Sequence, residues 1–373
     1  MKFMQLRINY TENHGRFYHE LLVPLQRWLA ERYFYRWNIA RGWQNGPHYL
    51  LTLDAGAPFY RDAWQAALLE RSNTFLQRCP SSPLDAAAHR ALQVRLNTLE
   101  AAGIDPDVIE PNNTASVHMT TLEQLAAKYE SPQQWRSVFD TQIRLHKAVV
   151  AHWSGADGGI NERFAFELMV MLACVYPPAP SDDPEVFEYN GFLSYHSNYV
   201  FWRHGLKPEQ QAIIDRRFSD GYGAAHGSYL CWLDALEADL AQAGHRSSEL
   251  AQALVASFLE HCQLARDGVI HARSPFARER LADQQQVSAF HQRYFYDEDG
   301  GARAFGLEFS AYRWLLNIVY RTLPLLNISP MTRQMLNYAL NRLQQEQAPA
   351  IGRIRVAMLT SGTPAAPIMK AAA

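Results

Sequence analysis

"RWNIARGWQNGPHYLLTL", residues 36–53, is the stretch that decides how this chain begins to fold. Two runs rich in aromatic and aliphatic residues flank "QNGP", and that punctuation predicts a β-hairpin. Glycine tolerates positive φ and proline fixes its own, so Gly46-Pro47 suits a tight turn. Alternation puts Ile39, Arg41 and Trp43 on one face of the first strand. Leu51 and Leu53 share a face of the second, with His48 and Tyr49 near its start. An arginine among such neighbours is costly to bury unpaired. It either reaches water or meets an anion, and its planar fork suits a carboxylate. A salt bridge to Asp54 or to a glutamate elsewhere is the alternative, and the residues alone leave both open.

Outward from the hairpin, "FMQLRINY" (3–10) reads as another strand. Phe17, Leu21, Leu25, Trp28 and Leu29 then recur at helical spacing, and Pro24 predicts a kink or a late helix start. Residues 104–118 break the helical pattern and are read as returning a strand to the sheet. The expectation is an α+β fold: a small N-terminal mixed or antiparallel sheet with helices, followed by a large helical region. Predicted helices span about 58–78, 84–102, 119–129, 132–153, 161–175, 208–218, 224–242, 247–264, 279–295, 304–323 and 330–346. "GRIRVAMLT" (352–360) is read as a last strand. The organisation expected is an α+β unit over 1–118, a mainly helical region over 119–360 and a flexible tail over 361–373. "YPPAPSDDPE" (176–185) marks a soft break.

Composition excludes several classes. Of 373 residues, 48% are hydrophobic and the net charge is −2, which allows a sizeable core and gives no general attraction to nucleic acid or anionic membrane. The four cysteines lie far apart and fit reduced thiols, which is the basis for expecting a cytoplasmic protein. No apolar run reaches the ~18 residues of a membrane helix. "DGYGAAHG" (220–227) imitates a dinucleotide fingerprint with the wrong spacing, and is read as a turn opening a helix. His146 and His152 stand six apart on a predicted helix, so no metal pair is expected, and no cofactor or metal is called. His196, among aromatics in "SYHSNYVFW", is weighed as a hydrogen-bonded core residue against a catalyst. On the helix 304–323, Phe305, Phe309, Tyr312, Leu316, Val319 and Leu323 form an apolar stripe, and Arg313, Asn317 and Arg321 a polar line at i, i+4, i+8. Arg333, Asn337 and Asn341 repeat that spacing. The two lines are either solvated faces or the walls of a cationic groove.

The hairpin "IARGWQNGPHYLLTL" resembles that of the C-terminal, thiopeptide-type bacteriocin biosynthesis domain of lantibiotic dehydratases. In that family an aromatic–Ile–Arg–aromatic strand runs through a Gly-Pro-His turn into a second strand rich in arginine. "HELLVPLQRWLAERYFYRW" is similar to the family's preceding helix, and "LNRL" (340–343) to the end of its last helix. The resemblance implies peptide tailoring in the biosynthesis of ribosomally made, modified peptides. Full-length dehydratases glutamylate Ser or Thr from glutamyl-tRNA, then eliminate glutamate. A stand-alone relative is either the eliminating half of a split dehydratase or a cyclase that joins two dehydroalanines in a formal [4+2] cycloaddition. Two departures stand out: Leu50 and Thr52 replace arginines of the second strand, and Asn337, Tyr338 and Ala339 fall where the eliminating enzymes keep a histidine.

What the resemblance implies for this chain is a cofactor-independent lyase or cyclase acting on a leader-bearing precursor peptide. Arg41, which maps onto the family's hairpin arginine, would stabilise an anion, His48 would position or transfer a proton, and Tyr338 stands where the missing histidine would act. Trp43, Tyr49, Arg313, Asn317, Arg321 and Arg342 are the expected peptide-binding residues. The partners expected are the precursor peptide and a separate glutamylating dehydratase subunit, with a homodimer left open and neither membrane nor nucleic acid called. The alternative is a non-catalytic subunit that holds the precursor.

Overall fold

The computed structural model describes residues 2–11, 14–54, 61–100, 105–154, 161–180, 188–242, 244–271, 288, 290–291 and 306–360. The chain divides into two compact units, Met1–Gly159 with Tyr320–Asn327, and Ile160–Val319 with Ile328–Ala373.

The first unit is built on a four-stranded antiparallel sheet of order β2-β3-β1-β4, with β1 at Lys2–Asn9, β2 at Trp37–Gly42, β3 at His48–Asp54 and β4 at Thr114–Thr121. The hairpin pairs Ile39 with Leu51 and Arg41 with Tyr49, and β1 pairs Leu6 with Leu51 and Ile8 with Tyr49. One face therefore carries Leu6, Ile8, Ile39, Tyr49 and Leu51, all fully buried. The expected return strand is β4. It extends to Thr121, correcting the helix predicted from 119. Met119 pairs with Met4, and Thr121 caps the short helix α5 (Leu122–Ala126, numbered in chain order with the helices below) through a capping box with Gln124.

The helix before the hairpin is broken as Pro24 requires. Between α1 (His14–Phe17) and α2 (Val23–Ala30) lies a π turn, Tyr18–Leu22, in which the Val23 N–H reaches the Tyr18 carbonyl. Proline has no N–H to donate and its ring crowds the preceding turn, and the wider turn accommodates both. After the hairpin come α3 (Arg61–Arg78), α4 (Ala86–Glu100) and α6 (Pro132–Ser154). Helix α6 covers the outer edge of β2. His146 Nδ1 accepts the Ile39 N–H at 2.9 Å, and Asn38 Nδ2 donates to Gln142 Oε1 at 2.7 Å. An edge covered in this way cannot recruit a foreign strand. Phe3 closes a small core on the opposite sheet face with Leu122, Trp135 and Phe139.

The second unit surrounds α7 (Asn161–Val175), whose residues from Phe164 to Val175 are all buried. A helix apolar on every side belongs at a centre. Against it pack α8 (Gly191–His204), α9 (Pro208–Leu240), α10 (Arg246–Arg266) and α13 (Ala348–Thr360); α11 (Leu307–Thr322), α12 (Pro330–Glu346) and a two-stranded β5–β6 ribbon at Ala179–Pro180 and Glu188–Tyr189 complete the described elements of the unit. The last turn of α11 and the 3₁₀ turn Leu323–Leu326 belong to the first unit.

Two sequence expectations fail here. The segment 352–360 is helix rather than strand, because Ile351, Ile354 and Met358 recur at three and four and are buried together. "DGYGAAHG" is the middle of the single helix α9, not a turn between two. Each glycine costs a helix about 1 kcal/mol. Burial of Phe218, Tyr222, Tyr229, Leu233 and Leu236 outweighs that cost. Phe305 and most of the predicted 279–295 helix lie outside the described residues. Among the described residues, no helix is long and apolar enough to cross a membrane. All four cysteines are free thiols.

Candidate functional site

In the first unit, register places Arg41 opposite Tyr49 on the buried face of the sheet, with its guanidinium 5.9 Å from the Tyr49 ring centre. Tyr49 is fully buried and stacks on Phe17 at 3.8 Å and 8°. Tyr18, from the π turn, lies edge-on to Tyr49 and stacks on Trp153 at 4.7 Å. The Tyr18 hydroxyl is buried with no hydrogen-bond partner. Burial raises its pKa, a shift that Arg41's charge opposes. The acid weighed as Arg41's partner is taken: Asp54 accepts from Arg36 Nε at 3.0 Å, and Arg36 also reaches Asp140 at 2.9 Å.

The other hairpin residues hold the turn. His48 Nδ1 donates to the Gly46 carbonyl at 2.8 Å, and its ring covers Gly42, where an added Cβ would come within 2.3 Å of Nε2. Burial pushes the His48 pKa down to about 4, a shift the charge of Arg7 deepens. Arg7 Nη2 donates to the carbonyls of Gln44 and Asn45 at 2.8 and 3.1 Å. The Trp43 carbonyl accepts from His89 Nε2 at 3.2 Å, and the Trp43 side chain is half-buried. Arg321 is exposed and donates to the Tyr129 hydroxyl at 2.8 Å.

In the second unit, Arg342 donates to the Tyr338 hydroxyl at 3.0 Å and lies over the Tyr222 ring at 4.9 Å. Glu346 receives the Tyr222 hydroxyl at 2.5 Å and His226 Nε2 at 3.1 Å. Tyr338 and Arg342 are thus brought together in a network joining α9 to α12. Asn337, the neighbour of Tyr338, is fully buried and donates to Asn198 Oδ1 at 3.0 Å and Gln334 Oε1 at 3.1 Å. Asn317 is exposed.

Arg313 belongs to a different group. Its charge acts on His291, together with those of His196 and His204. His291 lies between two hydroxyls: Nε2 is 3.0 Å from Ser197 Oγ and Nδ1 is 2.7 Å from Ser288 Oγ. The Ser288 hydroxyl also accepts the His291 backbone N–H at 3.3 Å. In the neutral imidazole one ring nitrogen donates to its hydroxyl and the other accepts from its own. Burial first, then the neighbouring positive charges, lower the His291 pKa to about 4. The imidazole is therefore neutral near pH 7 and links the hydroxyls in one hydrogen-bonded chain that can pass a proton without accumulating charge.

Helix α8 presents Ser197 to this group. Asn190 caps α8 by accepting the Phe192 N–H at 2.9 Å, the Tyr312 hydroxyl donates to the Gly191 carbonyl at 2.9 Å, and the Tyr195 hydroxyl donates to the Met169 carbonyl at 2.7 Å. Sequence reasoning missed Ser197, Ser288 and His291. The only signals were Ser288 and His291 three apart and a serine beside the weighed His196, which is half-buried and edge-on to Phe290 at 4.9 Å. Among the described residues, no three His, Cys, Asp or Glu side chains converge as a metal site.

No protein-family model matches the chain, and no curated protein sequence does. Solved structures do. A pyridine synthase from thiomuracin biosynthesis, TbtD, superposes with a TM-score of 0.67 at 16% identity, covering 94% of this chain and 99% of that one. TsrL superposes with a TM-score of 0.53 at 14% identity, covering 98% and 100%. The chain shares their fold.

Proposed function

We propose that this chain tailors a ribosomally made peptide by joining two dehydroalanine residues of a leader-bearing precursor into a six-membered ring, as a pyridine synthase does. The observation that carries this reading is the Ser197–His291–Ser288 chain of hydrogen bonds, on which the Arg313 charge acts. The end-to-end likeness to TbtD supports it at the level of fold.

The chemistry fits the groups. For one dehydroalanine to act as the four-atom component, the proton of its amide nitrogen must move to the carbonyl oxygen. A neutral imidazole between two hydroxyls shuttles that proton. A guanidinium near the oxygen lowers the cost of charge building there. Aromatisation then sheds water and the amide that carries the N-terminal segment, each step needing one proton delivered and one removed. The stretch 337–339 argues against glutamate elimination as the activity. None of Asn337, Tyr338 and Ala339, which fall where the resemblance puts the eliminating histidine, is an imidazole: the Asn337 amide is held by Asn198 and Gln334, and the Tyr338 hydroxyl accepts from Arg342. A separate dehydratase that both glutamylates and eliminates glutamate would supply the dehydrated substrate.

The test is to incubate the pure protein with a synthetic precursor carrying two dehydroalanines and read the product by mass spectrometry. Ring formation appears as loss of water and of the N-terminal segment, with a new aromatic absorbance. Binding with no mass change would leave only a precursor-holding subunit.

A further inference from the structure

The second unit contains a cavity of about 710 Å³ that is lined by Phe258, Leu259 and Cys262 of α10, by Leu307 and Phe309 of α11, and by Tyr189 of the β5–β6 ribbon. That volume lies within the ~300–1,000 Å³ typical of organic ligand sites. Leu259 is 59% and Leu307 52% exposed, each a large apolar side chain left in water on a helix that flanks the cavity. Two charges sit within this apolar lining, Arg266 and Glu308, and both act on the Cys262 thiol, in opposite senses. One donor-only and one acceptor-only group across a short apolar span match the carbonyl and N–H of a peptide bond; a lipid chain offers them nothing. One lining residue of the cavity packs against the arginine whose charge acts on His291. Phe309 lines the cavity, the Arg313 guanidinium lies 5.9 Å from the Phe309 ring centre one helical turn further on, and the Arg313 charge helps lower the His291 pKa.

We propose that this cavity is a second binding site that seats an apolar, aromatic-containing stretch of the peptide substrate, with Arg266 and Glu308 reading its backbone and Leu259 and Leu307 closing over its side chains. The proposal rests on the reading of this chain as a peptide-modifying enzyme and adds which part of the substrate is gripped, and where. Such a grip delivers the reacting residues to Ser197 and His291 from a fixed distance, converting part of the substrate's binding energy into positioning. It makes the enzyme select substrates by apolar side chains remote from the bond-forming carbons.

Fluorescence anisotropy on the full chain tests it with two fluorescein-labelled peptides of equal length, one alternating Phe and Leu with Ser, the other containing Ser and Gly only. The aromatic peptide should bind and the Ser/Gly peptide should not. Leu259→Asp and Leu307→Asp, both at exposed positions, should each weaken binding at least about tenfold, whereas Ser197→Ala should leave it unchanged. With a dehydrated precursor, Leu259→Asp should lower kcat/KM at least as much as it lowers affinity. Equal binding of both peptides, or unchanged affinity in both leucine variants, would overturn the proposal. If the aromatic peptide binds as described but no dehydrated precursor is converted, the cavity stands and the cyclase reading falls.

Discussion

At the scale of the residue, the account turns on which histidine is placed to move a proton. His48 is spent on its own turn and His146 on the edge of β2, each with one ring nitrogen engaged by backbone. His291 alone of these three engages hydroxyls through both nitrogens. With its pKa lowered to about 4 it stays neutral well below the ordinary histidine range. The rate of ring formation should therefore hold level from pH 8 down to about 5.5 and decline only as pH falls toward 4, measured as kcat over a range in which circular dichroism shows the protein folded. A profile half-lost near pH 6.5 would mean that an ordinary exposed histidine carries the reaction. The place of Arg41 in the hairpin was legible in the sequence because strand alternation and turn chemistry act over a few residues. Ser197 and His291 were not, because about ninety residues separate them and only the packing of α8 brings them to 3.0 Å.

Elements translate that geometry into sequence. Helix α8 starts where it does because Asn190 caps it and Gly191 presses against α7: a Cβ at 191 would lie 2.4 Å from the Ala173 carbonyl oxygen and 2.6 Å from its Cα. Neither backbone atom can rotate aside as a side-chain tip would. Gly191→Ala should lower stability by about 1–3 kcal/mol or more and shift Ser197, cutting kcat as well. Asn190→Ala should cost only about 1 kcal/mol. Chemical denaturation of both variants checks the order, and a Gly191→Ala protein as stable as the parent would contradict it. The elements misread from sequence share one cause, that tertiary contacts outvoted local pattern. In 352–360 the alternation of a strand and the stripe of a helix select overlapping residues, and packing of Ile351, Ile354 and Met358 decided for helix. In α9 a buried aromatic stripe carried the helix through three glycines. At 119–121, pairing with β1 held residues that propensity would have given to α5.

At the scale of the whole molecule, neutral buried histidines make folding sensitive to acid. His48 and His291 are lowered to about 4 and His146 to about 3, each mainly by desolvation. Unfolded, each titrates near 6.5. Above that value neither state is protonated and the contribution to stability is complete. As pH falls from about 6.5 toward 4 the unfolded chain binds protons that the folded chain does not, so stability drops. The melting temperature should fall steeply over that window, in both units, since His48 and His146 lie in the first and His291 in the second. A melting temperature flat from pH 7 to 4.5 would show these imidazoles to be hydrated. The α+β class and the antiparallel sheet were readable in advance because they follow from local periodicity. The assembly of a helical unit around the all-buried α7 was not, because nothing in a helix's own pattern names its neighbours.

The measurement closest to the central claim is single-turnover conversion of a doubly dehydrated precursor by the parent protein and by His291→Asn. Asparagine keeps a polar group of similar reach but cannot relay a proton. The account predicts that the parent releases the N-terminal segment, and that the variant binds the precursor with unchanged affinity while turning over about 10²–10⁴-fold more slowly. A variant that turns over at the parent rate would contradict it.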